Sequence, residues 1–511
     1  MFSKTLSAVL RGIDSQIIQA EADVSRGLPY FELVGYLSGE VKEARERVKT
    51  AISNSGYMLD PRRIIVNLSP ADIRKSGTSY DLAIACAVLC SYGFIPCSSL
   101  EDTLILGELS LSGSVRSING VLSAVLMARE KKLRRCIVPE PNAFEGAAVE
   151  GIDVYGVSSL QQTLEFLKGN MNIKPVSARE VPSGADQEEV PDYADIHGQH
   201  LLKRSMEIAA AGLHNILIIG PPGSGKSMAA KRLPGILPPM SYEESLEVSK
   251  IYSAAGLLEP EKGLIAKRPF RSPHHTISAL SLAGGGSNPM PGEISLAHRG
   301  VLFADELTEF SSESMEALRQ PMEDGYITIS RLRYTSTFPA DFMFVAAMNP
   351  CRCGYYPDMT RCRCTPLQIQ RYIGRISRPL LDRIDMTVEV KPVTVDLLQR
   401  GREADENSAD MRQHVITADQ MQARRFSDVG FEHNSQIPDR EVSRFCRLND
   451  ECTEFMKKVY RTYALSARGY NKILRVARTI ADLDQSENIE MKHISEAVFY
   501  KSLDKRYWLS S

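Results

Sequence analysis

Short apolar runs alternate with helical stretches over the first third of the chain. The runs at 31–35, 63–68, 103–111 and 134–140 have the composition of buried β-strands. This alternation predicts one α/β domain over residues 1–170. A further apolar run at 215–219 leads directly into a glycine-rich turn and a helical stretch, and it predicts a second α/β unit with a parallel sheet.

Two composition changes suggest the remaining boundaries. The segment 171–192 holds three prolines and no aromatic residue, and its charge is mostly acidic, so it predicts a linker. Beyond residue 392 the sequence is polar and helical, and the amphipathic segment 473–483 predicts a helical lid. The predicted order is therefore a domain at 1–170, a linker at 171–192, a core at 193–392 and a helical subdomain at 393–511.

Composition narrows the class of protein. The 511 residues are 43% hydrophobic and 24% charged, as in ordinary globular proteins, and the formal net charge is only −2. Any affinity for nucleic acid must therefore come from local patches. The longest apolar stretch, 82–90, is less than half of the ~20 residues that a membrane span needs, and the N-terminal apolar run is too short for a secretory signal. We expect a cytoplasmic protein with no membrane partner.

A phosphate-binding loop follows the run at 215–219. The segment fits GxxxxGK[ST] and is flanked by a predicted strand and a predicted helix, which is the context that this motif requires. Its backbone N–H groups would surround the phosphates of ATP, Lys226 would reach the β and γ oxygens, and Ser227 would ligate Mg²⁺. The loop consists of Gly220, Pro221, Pro222, Gly223, Ser224, Gly225, Lys226 and Ser227.

Two further predicted strands end in polar residues. Asp305 and Glu306 follow the apolar run 301–304, and Asn349 follows 341–348. At the carboxyl edge of a parallel sheet Asp305 would hold Mg²⁺ through water, and Glu306 would activate the attacking water. The alternative is a pair of carboxylates that caps a helix.

Several motifs together carry a family resemblance. The segments 268–306, 309–325, 345–350 and 378–385 resemble the ComM/YifB family, the magnesium-chelatase-like branch of AAA+ ATPases. The resemblance implies a P-loop AAA+ core with a helix-2 insertion, which would account for the long separation of Lys226 and Asp305. It also implies a homo-hexamer that hydrolyses ATP and acts on DNA.

The resemblance assigns further site residues. It implies that Asn349 is the sensor-1 residue and that Arg383 is an arginine finger offered to the neighbouring subunit. It makes Arg468 the sensor-2 arginine, with Arg475 as the alternative, and places Gln199 beside the base or ribose. Two alternatives stay open: Arg383 as the partner of Asp382 or Asp385 in an ion pair, and Arg468 as a surface side chain.

Four of the ten cysteines form a cluster directly after the predicted sensor strand. They are arranged as two C-x-C pairs, and four thiolates suit a tetrahedral Zn²⁺ site. Reduced thiols in a surface loop are the alternative. The candidate ligands are Cys351, Cys353, Cys362 and Cys364.

A predicted hairpin at 325–339 is the candidate contact with DNA. Arg331 and Arg333 are two residues apart and so share one face, from which they could bind phosphates without regard to sequence. His274 and His275 would join this surface, or form a metal pair. The alternative for the hairpin is an exposed edge protected by charge.

The N-terminal region resembles the Lon-protease-like domain of the same family, through the segments 67–85 and 106–121. Ser79 occupies the position of the nucleophile, but Leu122 stands at the position of the dyad lysine and cannot accept a proton. Lys131 and Lys132 would replace that lysine only through an unexpected chain path. We therefore expect no peptidase activity.

The leading hypothesis from the sequence is a hexameric ATP-driven motor on DNA, a branch-migration helicase in recombination or natural transformation. Its expected substrate is single-stranded or branched DNA. The rivals are a metal-insertion ATPase of the magnesium-chelatase type and an ATPase that remodels proteins.

Overall fold

The computed structural model describes residues 1–177, 191–259, 263–286, 289–331, 334–392, 406–504 and 507–508. Most of the predicted linker, the turn of the predicted hairpin with Arg333, and the start of the predicted lid lie outside this part of the chain. The described chain divides into two compact units. The first comprises Met1–Asp186, Tyr242–Ala266 and Gly286–Pro291, and the second comprises Gln187–Ser241, Lys267–Gly285 and Gly292–Ser511.

A seven-stranded mixed sheet forms the first unit. Its two longest strands, Phe2–Arg11 and Asp14–Ser25, make an antiparallel hairpin at the centre of the sheet. Strands are present at all four predicted runs, but the run at 103–111 is divided: Thr103–Ile105 belongs to this sheet, and Glu108–Leu109 pairs with Val115–Arg116 in a separate two-stranded sheet. Across the sheet the strands are Tyr30–Val34, Arg63–Ser69, Asp14–Ser25, Phe2–Arg11, Thr103–Ile105, Arg135–Pro139 and Asp153–Val157.

The apolar stretch around 82–90 is a core helix of this unit. All residues of the helix Asp81–Ser91 are buried, as expected for a helix that is apolar on every side. Its first residue is a buried carboxylate, and Arg47 donates to Asp81 through two nitrogens at 2.9 and 3.1 Å. The other helices of this part of the unit are Gly39–Asn54, Val121–Glu130, Ala143–Ala147 and Leu160–Leu167.

The first unit includes a segment from the middle of the chain. The helix Tyr242–Ala255 packs on the helix Val121–Glu130, and Leu246 and Leu264 join the apolar cluster around Leu122. The carbonyl of Ser253 accepts the N–H of Gly120 at 3.1 Å. Residues 242–266 fall within the range predicted for the core, yet they pack with the N-terminal residues.

A buried carboxylate fixes this helix in place. Burial raises the pKa of Glu145, while hydrogen bonds from Ser253, Leu122 and Asn142 act in the opposite direction. The N–H of Leu122 donates to Glu145 at 2.8 Å, and the Ser253 hydroxyl donates to the same carboxylate. A buried polar group is stable only when its hydrogen bonds are satisfied, so Glu145 requires Ser253 in this position.

The second unit is built on a five-stranded parallel sheet. The strand order is Phe270–Arg271, Val301–Ala304, Met343–Met348, Ile216–Ile219 and Met386–Glu389. The three central strands are wholly buried, which matches their continuous apolar sequences. The predicted fold class, a P-loop core with a parallel sheet, is confirmed.

Helices surround this sheet and form the C-terminal part of the unit. The predicted amphipathic segment 473–483 lies in the helix Ala467–Leu483, which confirms the helical C-terminus. No helix in the described ranges is both long and apolar enough to cross a membrane. The longer helices of the unit are His200–Gly212, Lys226–Arg232, Pro366–Ile373, Ser408–Arg425, Asp450–Tyr463, Ala467–Leu483 and Met491–Asp504. The shorter ones are Ala279–Ala283, Glu293–Leu296, Ser312–Ala317, Pro321–Asp324, Arg378–Leu381 and Val442–Phe445.

A buried ion pair connects the last strand of the sheet to the C-terminal helices. The Lys472 ammonium lies 2.7 Å from Asp385, and His214 lies 3.7 Å from the same carboxylate. Burial acts to raise the pKa of Asp385, but Lys472 and His214 outweigh it and the pKa lies below its usual value. The interior therefore contains two opposite charges, and each one compensates for the burial of the other.

Removing one member of this pair should destabilise the protein. Asp385→Ala would leave the Lys472 ammonium buried without a counter-charge, at a cost of about 3–5 kcal/mol. We expect a lower thermal midpoint for the full chain in differential scanning fluorimetry. The control is Glu454→Ala, which breaks an exposed ion pair with Lys457 and should leave the midpoint unchanged. Equal midpoints for the two variants would contradict this prediction.

Candidate nucleotide site

Three parallel strands bring the predicted phosphate-site residues to one edge of the sheet. Ile216–Ile219 lies beside Met343–Met348, which lies beside Val301–Ala304. Because the strands are parallel, the residues that follow them meet at their carboxyl ends. Gly220, Asn349 and Asp305 are those residues, and this edge is where ligands bind in open α/β sheets.

The Lys226 ammonium is the centre of this group. It donates to the carbonyls of Gly220 and Pro221 at 2.8 and 2.9 Å and to the side-chain oxygen of Asn349 at 3.3 Å. Burial lowers the pKa of Lys226, and the charges of Asp305 and Glu306 partly oppose that shift. A buried cation held by oxygens is thus available for anionic phosphate oxygens.

The glycines of the loop have conformations that other residues rarely adopt. Gly223 and Gly225 have φ angles of +73° and +90°, and Gly225 precedes the first turn of the helix Lys226–Arg232. A Cβ atom at Gly220 would lie 2.8 Å from the carbonyl oxygen of Val390. The loop can therefore turn tightly and direct its N–H groups towards one point.

Ser227 and Asp305 form the candidate magnesium position. The Ser227 hydroxyl donates to the Asp305 carboxylate at 2.8 Å, so two oxygen donors from different elements lie side by side. Mg²⁺ prefers oxygen ligands and is commonly held by one or two protein groups together with phosphate. These residues fit that ion.

Glu306 lies next to this position in an unusual backbone conformation. Its φ angle is +52°, and its N–H donates to the Asp305 carboxylate at 3.0 Å. The Glu306 side chain is 56% exposed, and His275 lies 3.7 Å from it. A residue other than glycine with positive φ is strained, and such strain is common at active sites. Glu306 therefore presents a carboxylate to solvent beside the phosphate loop.

Two further residues predicted for the site, Gln199 and Pro222, make contacts at the phosphate loop. The Gln199 amide donates to the carbonyl of Lys391 at 2.8 Å and to that of Ser224 at 3.4 Å, which places it beside the loop. Pro222 packs against Gly354 from the cysteine segment, because a Cβ at Gly354 would lie 2.6 Å from its ring.

Arg383 and Arg468 lie together, and the described contacts of neither reach Lys226 or Asp305. Both guanidinium groups bond the carboxylate of Glu323, Arg468 at 3.2 Å and Arg383 by a shorter contact. Arg383 also donates to the carbonyls of Arg319 and Pro379. The ion pair expected as the alternative for Arg383 is therefore made with Glu323, whereas Asp385 pairs with Lys472.

The alternative sensor-2 residue has a local partner. Arg475 donates to Asp439 at 2.6 Å within the C-terminal part of the unit. Glu323 is a site residue that sequence reasoning did not identify, and His275 was expected on the DNA-contacting surface or in a metal pair rather than beside Glu306. Glu323 was visible as an acidic residue in the family segment 309–325, but only the fold shows that it faces two arginines.

The four cysteines of the predicted zinc site come together. Their sulfur atoms all lie within 4.8 Å of one another, and all four are free thiols. Cys351 and Cys362 are buried and join the apolar cluster on this side of the sheet. The structure therefore brings both C-x-C pairs to one point next to the phosphate loop.

The predicted hairpin is confirmed. Tyr326–Arg331 and Tyr334–Pro339 pair in antiparallel register. The side chain of Arg331 and the whole of Arg333 lie outside the described residues. His274 and His275 are in contact, with ring centroids 4.1 Å apart, and His275 faces Glu306.

The serine and leucine singled out in the N-terminal domain are both within the first unit. The Ser79 hydroxyl donates to the carbonyl of Ala8 at 3.4 Å. Leu122 is fully buried at the start of the helix Val121–Glu130.

Three family models match this chain, one in its N-terminal part, one in its central part and one in its C-terminal part. The model described as "Magnesium chelatase, subunit ChlI" matches residues 192–398. Those described as "Subunit ChlI of Mg-chelatase" and "Magnesium chelatase, subunit ChlI C-terminal" match residues 20–142 and 405–501.

Two of the relatives that match over nearly the whole chain are named YifB and ComM. The protein named YifB of Escherichia coli is 40% identical over 494 residues, which cover 97% of this chain and 96% of that protein. Competence protein ComM of Haemophilus influenzae is 40% identical over 497 residues and 96% of both chains. The chain belongs to the ComM/YifB family.

One partial relative of this ComM/YifB family member is a protease homolog. Lon protease homolog 2 of Caenorhabditis elegans is 32% identical over 174 residues, which are 33% of this chain and 22% of that protein. Membership of the ComM/YifB family makes the second unit a magnesium-chelatase-like AAA+ module, as the sequence motifs predicted.

The position of Lys226 predicts the effect of its removal. Lys226→Ala deletes a charged donor, so the affinity for a fluorescent ATP analogue should fall by about tenfold to a hundredfold, the equivalent of about 1.5–3 kcal/mol. The control is Lys231→Ala, which changes an exposed lysine of the same helix and should leave the affinity unchanged. Unaltered binding by Lys226→Ala would contradict the site.

Proposed function

We propose that this protein is an ATP-hydrolysing AAA+ motor that works as a homo-hexamer on single-stranded or branched DNA. Two contacts carry the ATPase part of the proposal: Lys226 with Asn349, and Ser227 with Asp305. They unite three strand ends around one point where a triphosphate would lie. The relative named competence protein ComM supports the DNA part.

The residues of the site divide the work of hydrolysis. Lys226 and the loop N–H groups bind the phosphates, and Ser227 with Asp305 would hold Mg²⁺. Mg²⁺ neutralises charge on the phosphate oxygens when it is bound. Glu306 accepts a proton from the attacking water, and Asn349 orients that water from the neighbouring strand. The exposed carboxylate of Glu306, outside the hydrogen-bonded centre, suits a group that must meet water.

Glu306→Gln should separate nucleotide binding from hydrolysis. The substitution keeps the size of the side chain but removes the base, so we expect kcat to fall by about 10²- to 10⁴-fold. Binding of ATP should remain, because Lys226 and the loop are intact. Steady-state phosphate release and equilibrium binding of a fluorescent analogue measure the two quantities. Loss of both together, or of neither, would count against this role.

The arginines supply the argument for a ring. Arg383 and Arg468 converge on Glu323 rather than on the phosphate loop of their own chain. An arginine finger given to a neighbouring subunit makes hydrolysis depend on assembly, and it stabilises charge on the γ-phosphoryl oxygens. In this proposal Glu323 holds Arg383 and Arg468 in place. When the ring assembles, Arg383 contacts the nucleotide of the next subunit, and Arg468 lies beside it.

A mixing experiment tests action between subunits. Arg383→Ala and Lys226→Ala should each be inactive alone, and an equimolar mixture should regain up to about a quarter of wild-type hydrolysis, since mixed rings contain some complete interfaces. A mixture of Lys226→Ala with Glu306→Gln is the control, because both changes lie on the same side of the interface and no complete site can form. Recovery in the control, or none in the first mixture, would refute a finger that acts between subunits.

One structural feature and one feature of the sequence support DNA as the substrate. The hairpin formed by Tyr326–Arg331 and Tyr334–Pro339 belongs to the ATPase unit, and its predicted arginines would contact phosphates. The segment 351–383 adds seven arginines against two aspartates, with no lysine or glutamate. Contacts with the phosphate backbone of DNA alone would allow the protein to move along a DNA strand, since such contacts do not depend on base sequence.

The deciding experiment is ATP hydrolysis with and without DNA. Single-stranded, duplex and four-way-junction DNA are compared at one salt concentration, with Glu306→Gln as the control. A rise with junction or single-stranded DNA that is absent in Glu306→Gln supports the motor. Hydrolysis that no DNA changes would refute the DNA motor and favour an ATPase that remodels proteins. Stimulation by a porphyrin and magnesium instead would favour metal insertion.

A further inference from the structure

The loop from Cys351 to Cys364, called the cysteine loop below, has the geometry of a metal site. The Sγ–Sγ distances are 3.3 Å for Cys351–Cys353, 3.6 Å for Cys353–Cys362 and 3.8 Å for Cys351–Cys362. A tetrahedron of sulfurs around Zn²⁺, with Zn–S bonds of about 2.3 Å, has edges of about 3.8 Å. The sulfurs are therefore spaced for one shared ion, and they are too far apart for disulfide bonds of about 2.05 Å.

Local turns on both sides bring the two pairs together. Gly354 follows Cys353 with a φ angle of +84°, which reverses the chain. Further along, Asp358 accepts the hydroxyl of Thr360 at 2.5 Å and its N–H at 3.0 Å, while the N–H of Cys362 donates to the Asp358 carbonyl at 2.8 Å. The convergence of the sulfurs is thus built by hydrogen-bonded turns.

The element after the loop is also fixed. Thr365 caps the helix Pro366–Ile373 by a capping box with Gln368, which holds the residue that follows Cys364. The N–H of Tyr356 points at the sulfur of Cys351 at 3.5 Å. Backbone donors to ligand atoms are a regular feature of metal sites, because they orient the ligands and offset their charge.

The surroundings favour a cation with thiolate ligands. Four thiolates around one divalent ion carry a net negative charge, and Arg352, Arg361 and Arg363 alternate with the cysteines along the loop. Four sulfur ligands with tetrahedral spacing select Zn²⁺ or an iron centre. A closed four-coordinate set leaves no open position, which is typical of a structural site rather than a catalytic one.

The cysteine loop is connected to the nucleotide site by one contact and by the chain itself. Gly354 packs so closely against Pro222 of the phosphate loop that a Cβ would lie 2.6 Å from the proline ring. At the start of the loop, Cys351 is separated from Asn349 by Pro350 alone. A change in the conformation of the cysteine loop would therefore shift both the phosphate loop and Asn349, which contacts Lys226.

We propose that Cys351, Cys353, Cys362 and Cys364 bind one structural Zn²⁺, and that this ion holds the cysteine loop against the phosphate loop. The metal-binding part stands independently of any activity. The second part rests on the proposed ATPase function, because it expects nucleotide affinity to depend on the metal.

Metal analysis of the full chain tests the first part. Protein purified from zinc-supplemented medium should contain about one zinc per chain, and Cys353→Ser combined with Cys362→Ser should lower this to less than about 0.1. Cys97→Ser, in the first unit, is the matched control and should keep its zinc. Absence of zinc from the wild type, zinc that the double variant retains, or iron in its place would overturn the proposal.

Cobalt provides a readout that does not depend on activity. Co²⁺ added to metal-free protein should give the intense visible absorption of tetrahedral tetrathiolate coordination, and Zn²⁺ should displace it. The double serine variant should give no such band. A weak spectrum typical of octahedral oxygen ligands in the wild type would overturn the assignment of four sulfurs.

Removal of the metal tests the link to the nucleotide. A thiol-directed reagent that releases zinc, followed by reduction, should weaken binding of the ATP analogue severalfold, and added Zn²⁺ should restore it. If zinc is bound but its loss leaves affinity unchanged, the link to the phosphate loop fails. If zinc and affinity behave as expected but no hydrolysis occurs, the proposed motor fails and the zinc site stands.

Discussion

The nucleotide site of the second unit depends on a lysine ammonium that is held where parallel strands end. Lys226 is buried, and the oxygens of Gly220, Pro221 and Asn349 surround its charge. Such a charge is tolerated only where oxygens compensate for lost water, so the strand ends must stay in register. The parallel pairing of Ile216–Ile219 with Met343–Met348 maintains that register. The same arrangement that satisfies Lys226 leaves its positive charge beside the space for a phosphate.

Much of this site could be predicted because it is encoded locally. A strand, a glycine turn, a lysine and a helix follow one another in sequence, and a single apolar run precedes Asp305 and Glu306. The pairing of Arg383 and Arg468 through Glu323 could not be predicted in the same way. Those residues come from distant segments, and only tertiary packing brings them to one carboxylate. The four cysteines lie between these cases, since their spacing suggested a metal but not the contact with Pro222.

The N-terminal hairpin shows where hydrophobic patterning fails. In the strand Phe2–Arg11 the inward positions include Ser3, Thr5 and Ser7, which are buried. The Ser3 hydroxyl donates to the carbonyl of Ala87 at 2.6 Å and lies 2.8 Å from the hydroxyl of Ser91. Small hydroxyl residues let the strand approach the buried helix Asp81–Ser91 closely. Because polar residues occupy these buried positions, the strand lacks the alternation of apolar and polar residues that identifies a strand from sequence.

The segment 242–266 shows that a domain boundary cannot always be predicted from the order of segments in the sequence. By sequence it lies between the phosphate loop and Asp305, inside the family's ATPase region, yet its helix packs with the N-terminal domain. Glu145 explains why that packing is specific: its buried carboxylate accepts hydrogen bonds from both Leu122 and Ser253. Leu122, which stands where the resemblance to Lon-type proteases leads us to expect a lysine, belongs to the same apolar cluster as Leu246 and Leu264 from this segment. A charged side chain at position 122 would have to be buried in this apolar cluster, which would cost free energy, so the packing of the segment against the N-terminal residues favours an apolar residue there.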